Sequence, residues 1–145
     1  MTINTIKTEL KNIVDSVKTA NDEISTTFDY MPVSPEGTPA VAVIFTGGRD
    51  EYGDTEKNKF VTNFVIRVMI EHTLNQTDDS ADIAKILDIT DDLLLVLRNK
   101  DNILLNNNTY KSTITSVSDV REGELATMKV LYVDISIEAK SLRAI

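Results

Sequence analysis

Apolar side chains recur at Ile3, Ile6, Leu10, Ile13, Val14, Val17 and Ala20, spaced mostly by three and four residues. That spacing places them on one stripe of a helix, while Lys7, Glu9, Lys11, Asn12, Asp15 and Lys18 occupy the opposite side. The pattern predicts an amphipathic helix over 3–20 that lies on a core rather than inside it. Residues 27–31 alternate and predict a short strand. Pro32, Pro35 and Pro39 then crowd into one stretch with Gly37. Proline fixes φ and lacks a backbone donor, so this stretch predicts a rigid turn. Residues 40–46 predict a strand that is apolar on both faces, and residues 47–58 a polar loop.

Residues 59–71 carry the strongest strand pattern. Phe60, Phe64, Ile66, Val68 and Ile70 share one face, interrupted only by Thr62. Val61, Asn63, Val65, Arg67 and Met69 share the other, expected to be half-solvated or at an interface. A second helix is predicted over 79–98, with Ile83, Ile86, Leu87, Leu93, Leu94 and Leu97 as its apolar stripe beside Ala84 and Thr90. Asp78, Asp79 and Asp82 stand at its start and Arg98 and Lys100 at its end, complementing the helix dipole. Residues 106–109 predict a turn, 110–120 a Ser/Thr-rich strand, and Arg121–Glu124 a hairpin turn. In 125–138, Leu131, Val133, Ile135 and Ile137 point inward, with Asp134, Ser136 and Glu138 outward. Met128 and Val130 hold the opposite phase, which suggests a bulge near Val130. The expectation is an α+β fold with one mainly antiparallel β-sheet and two α-helices packed on one face. The element order is α-β-β-β-α-β-β, with a long β-hairpin arm, in a single domain over 1–145.

Composition narrows the chemistry. The chain has 145 residues, no cysteine and one histidine. Disulfide frameworks, thiol nucleophiles, zinc fingers and iron–sulfur ligation are excluded, as is a paired-histidine catalyst. The net charge of −8 argues against nonspecific nucleic-acid binding, which needs clustered Lys and Arg. Residues 1–20 contain no apolar signal-peptide core, and no stretch approaches 18 consecutive apolar residues, so neither a secretory signal nor a membrane span is expected.

Four constellations invite a chemical reading, and none passes. Gly48, Gly53, Asp54 and Thr55 have the spacing of a phosphate-binding loop. Asp54 stands where a lysine must neutralise phosphate, and a strand rather than a helix follows. His72 has no Ser elbow or Cys to activate. Asp78, Asp79 and Asp82 lack the bend glycine and terminal Glu of a calcium loop, and dipole capping accounts for them. The 23 acids offer carboxylate pairs for glycoside hydrolysis, but there is no Trp and aromatics are only 6% of the chain. No cofactor and no metal is expected. The loop over 47–58 remains. It carries Arg49, Asp50, Glu51, Asp54 and Glu56 with Tyr52 at its centre. One reading is a solvated hairpin tip. The other is an arm reaching a neighbouring subunit, with mixed charge setting orientation and Tyr52 or Arg49 as anchor.

Taken together, the segments resemble the tail terminator (tail-completion) family of long-tailed bacteriophages. The match is of pattern along the whole chain. It comprises the N-terminal helix from Ile3 to Ala20, the Tyr30-Met31-Pro32 approach, the Pro39-to-Phe45 strand and the charged hairpin. The long strand from Phe60 to Ile70, the helix from Asp79 to Leu97 and two closing strands complete it. The resemblance implies a structural virion protein with no enzymatic activity, made in the host cytoplasm. Copies would close into a homo-hexameric ring on the tail tube protein, stop tube polymerisation and present a surface to the head–neck connector protein. DNA would pass through the ring without specific binding, and no membrane would be involved. The alternative reading is a small ferredoxin-like ligand-binding or regulatory domain, which would need an apolar pocket with convergent polar groups. A small hydrolase is the third, disfavoured by the missing nucleophile–base pair.

Overall fold

The helical stripe at the start of the chain folds as its spacing requires. In the computed structural model, helix α1 (Ile3–Ala20) buries Ile6, Leu10, Ile13, Val14 and Val17. Residues 3–21, 23–33, 37–51, 57–72, 80–99, 111–125 and 128–144 are described. Ala20 is exposed, so the stripe ends at Val17. Burial of each such aliphatic side chain contributes about 1.5–3 kcal/mol. Strand β1 (Thr26–Phe28) follows and pairs in parallel with β2 (Ala40–Glu51). β3 (Lys57–Glu71) runs antiparallel to β2. Helix α2 (Ser80–Leu97) leads to β4 (Lys111–Val117), β5 (Arg121–Leu125) and β6 (Met128–Ala144). The fold is α+β, with two helices and a six-stranded, mostly antiparallel sheet ordered β1-β2-β3-β6-β4; β5 pairs with β6 alongside β4.

β3 and β6 form the centre of the sheet. Their register is unbroken from Glu71↔Val130 to Lys57↔Ala144. Both helices cover the same face of this pair. Phe64, Ile66, Val68 and Ile70 meet Leu131, Val133, Ile135 and Ile137 there, and the α1 stripe joins Ile86, Ile89, Leu93 and Leu97 of α2 in one buried cluster. On the opposite face, Ala40, Ala42 and Met69 form a smaller buried cluster with Phe28, Met31, Ile44, Leu125 and Tyr132 packed against it.

Five sequence expectations are corrected. First, the polar stretch after residue 46 is not all loop. β2 continues, paired, to Glu51 and β3 begins at Lys57. A register shift between Phe45 and Gly47 lets the ladder run on, with Gly47 at φ 129°, where a side chain would be strained. Second, α2 buries Ile89, while Leu87 is 45% exposed and Ala84 also faces out. Leu87 lies about 100° around the helix from Ile86, enough to carry it off the core stripe. Third, Arg121–Glu124 is strand rather than turn; the hairpin falls between the paired residues Leu125 and Met128. Gly123 fits that strand because a Cβ there would stand 3.0 Å from the Tyr132 ring. Among the described residues three strands therefore follow α2, not two. Fourth, there is no bulge near Val130. The second shift lies between Ile114 and Ser116, while Val130 is buried within an unbroken ladder. Fifth, Val61 and Met69 are fully buried rather than half-solvated. The turn expected at 106–109 lies outside the described residues, as do Asp78, Asp79 and Lys100.

α1 is tied to the edge of the sheet through Asp15. Its carboxylate accepts a 2.6 Å hydrogen bond from Thr27 Oγ1 and a 3.0 Å ion pair from Lys11 Nζ. Asn21 Nδ2 donates to Asp92 Oδ2 at 2.7 Å and links the end of α1 to α2. Burial pushes the Asp15 pKa up, but the Thr27 bond and Lys11 outweigh it, and the net shift is below the ordinary value of 3.8. A lowered carboxyl pKa favours the folded state above the unfolded value, and that contribution disappears as pH falls through the native value. Accordingly, the stability difference between the native chain and Asp15→Asn should be constant above about pH 5 and shrink below pH 4, as followed by urea denaturation. Ile66 is 0% exposed in the central strand. Ile66→Asp should cost more than about 4 kcal/mol and leave little folded protein by circular dichroism.

Candidate assembly surface

The charged residues singled out from the sequence separate into two groups. Arg49, Asp50 and Glu51 lie on β2 beyond the bulge, opposite Val61, Phe60 and Lys59 in the ladder. Tyr52, Asp54 and Glu56 lie outside the described residues. The bulge decides where these charges point. Alternation along a strand is strict, so one extra residue transfers every following side chain to the other face. Arg49 consequently shares a face with Glu138, which its guanidinium approaches at 3.7 Å, and Lys140 Nζ lies 3.7 Å from the same carboxylate. The Arg49 side chain is half-exposed, so this pair contributes little stability and leaves much of the guanidinium turned to solvent. Asp50 is exposed. In the neighbouring strands Phe60, Val61, Thr62 and Ser141 are buried, and Thr62 Oγ1 donates to Ala139 O at 3.3 Å. Beyond the bulge β2 thus remains part of a three-stranded ladder with β3 and β6.

The same face of the sheet carries an interaction that sequence reading missed. Arg67 and Asp134 are directly paired across β3 and β6, and they form a two-pronged ion pair with Nε–Oδ1 at 2.7 Å and Nη2–Oδ2 at 3.0 Å. The guanidinium carbon stands 4.5 Å over the Tyr132 ring, and Nη1 reaches Met31 Sδ at 3.8 Å. The Asp134 bond holds the Arg67 pKa above its ordinary value against the opposing effect of burial. Tyr132 in turn sits against Gly123. The signal was present in the strand pattern, where Arg67 alternates with apolar residues and Asp134 with the inward set. Only the pairing register could bring the two together.

At the end of β3, His72 donates its backbone N–H to Lys129 O at 2.8 Å. It borders a hollow of about 230 Å³ lined also by Glu122, Gly123, Glu124, Lys129 and Val130. Among the described residues, that lining contains no Ser, Thr or Tyr hydroxyl for the imidazole to activate. Among the described residues, no three His, Asp or Glu side chains converge as a metal site, and no helix is long and apolar enough to cross a membrane. What the surface offers is charge held by cross-strand pairing on the sheet, which suits recognition of another protein surface. Comparison with models of known protein families and with curated proteins finds no match.

Asp134→Ala should cost about 1–3 kcal/mol in denaturant unfolding, because it strands a half-buried guanidinium. Arg67→Lys should recover only part of the native stability, since an ammonium lacks the planar fork.

Proposed function

We propose that this chain is a structural subunit of a bacteriophage tail. It is a tail terminator whose copies close into a ring on the end of the tail tube, stop its polymerisation and offer the surface for joining the head–neck connector. The observation that carries the reading is the outer β2–β3 hairpin. No residue of β2 beyond Val43 belongs to the main core, yet the strand stays paired to Glu51 and carries Arg49 and Asp50 outward. A paired extension of the sheet with charge of both signs is suited to a contact between subunits, because mixed charge sets orientation as well as affinity. The whole-chain resemblance to tail terminators supports the same reading, and so does the acid excess. Net repulsion keeps association between free subunits weak and reversible until a tube end recruits them, and an acidic channel lets DNA pass without adhering.

Arg49→Glu combined with Tyr52→Ala should leave circular dichroism and thermal unfolding unchanged while reducing the yield of joined, length-controlled tails at least about tenfold, a loss of roughly 1.4 kcal/mol at the contact. Electron micrographs of virions assembled with the double variant, beside virions lacking the protein, measure this. Tails of normal length joined to heads in the complete absence of the protein overturn the proposal. Normal assembly with the double variant alone returns the hairpin to the reading of a solvated tip.

A further inference from the structure

The sheet ends in β1 on one side and in β4, with β5 beyond it along β6, on the other, and among the described residues neither β1 nor β4 has a partner on its outer side. We infer that copies of this chain associate head to tail by pairing the β1 edge of one with the β4 edge of the next, extending one sheet from subunit to subunit. The inference deepens the ring reading and rests on it only for closure of the assembly.

Strand direction favours this contact. β1 is parallel to β2, and each later step across the sheet, β2 to β3 to β6 to β4, is antiparallel. β4 therefore runs opposite to β1, and copies set side by side in the same sense bring these edges together antiparallel, the more stable pairing. The β1 edge is prepared for a strand. Ser25 N–H donates inward to Pro39 O at 2.8 Å, so by alternation Thr27 turns its backbone toward β2 while Thr26 and Phe28 turn theirs outward. Along this edge runs an open groove of about 670 Å³, bordered also by Lys18 of α1 and by Tyr30, Pro32 and Val33. Tyr30 is 59% and Val33 81% exposed, large apolar surface beside an unpaired strand. At the other end, β4 from Ser112 to Val117 contains no charged residue and no proline, the usual protections of a free edge, and Val117 is 41% exposed.

The second copy fits by charge as well as by backbone. Thr27 and Ile114 both lie on the helix-covered face, since they stand opposite Val41 and Ile137 in their ladders. Setting Thr27 of one copy opposite Ile114 of the next puts Lys111 opposite Tyr30 and beside Asp29. Lys111 and Asp29 are both exposed. The lysine stem can then cover the Tyr30 ring while its ammonium meets the Asp29 carboxylate. The contact uses a different patch on each partner, so it propagates into a ring when the rotation between copies closes.

The chain has no cysteine, so introduced thiols are the only ones present. The test places Thr26→Cys with Ser116→Cys in one full-length chain and Phe28→Cys with Thr113→Cys in another, one pair on each side of Thr27 and Ile114 once the shift between Ile114 and Ser116 is counted. Under mild oxidation each double variant should give a ladder of disulfide-linked oligomers on a non-reducing gel that collapses with reductant. Single variants should give dimers at most. Separately, Lys111→Glu should weaken self-association by roughly tenfold in sedimentation, and adding Asp29→Lys should restore it. Double variants that stay monomeric or stop at dimers overturn the inference, as does a Lys111→Glu chain that associates normally. A chain that cross-links through these edges but never caps tubes ends the tail-terminator reading and leaves this one standing. A chain that caps tubes without cross-linking does the reverse.

Discussion

The ladder between β3 and β6 is the constraint on which the rest of the molecule depends. Its register is unbroken, and directly opposed residues share a face, so the choice of partner for Ile66 fixes the facing of every other residue in both strands. One face becomes the apolar floor for both helices. The other receives Arg67 opposite Asp134 and Val61 opposite Lys140. β2 adds to the free side of β3, and β4 and β5 share the free side of β6. The charged surface is thus a by-product of the same pairing that forms the core.

How much of this was legible in the sequence depends on how local each determinant is. The α1 stripe and the core face of the central strand were readable because burial is one-sided and the period is sharp. Leu87 was misassigned because α2 is apolar over much of its circumference, and pattern alone cannot then separate a core position from one about 100° away. Arg121–Glu124 read as a turn since Gly and charged residues are typical of turns, whereas Gly123 is there to admit the Tyr132 ring, a contact set by cross-strand pairing. The hairpin residues beyond Gly47 carry no apolar alternation. Their strand character comes from backbone pairing with β3, which leaves no trace in hydrophobicity.

The candidate surface follows the same division. Arg49 and Asp50 could be picked out as an unusual charged stretch, although the face each occupies rests on a one-residue shift that composition does not reveal. Arg67 and Asp134 were each visible as isolated charges in otherwise apolar strands, and their union required the register. A binding domain built around a deep apolar pocket finds less support. The hollow beside His72 is small, and the larger groove lies open along a strand edge, a shape better suited to an extended segment than to an enclosed ligand.

The central pair also sets the order of events in folding. The partners in β3 and β6 are distant along the chain, with Phe64 meeting Ile137 and Lys57 meeting Ala144. Closing so long a loop costs chain entropy before any contact compensates, which makes this a non-local and slow topology. During synthesis β3 must emerge and wait, its apolar residues from Phe64 to Ile70 bare along an unpaired edge. The unfinished chain, rather than the finished subunit, is therefore the species most exposed to wrong partners. The net charge of −8 opposes aggregation of nascent chains over the same interval.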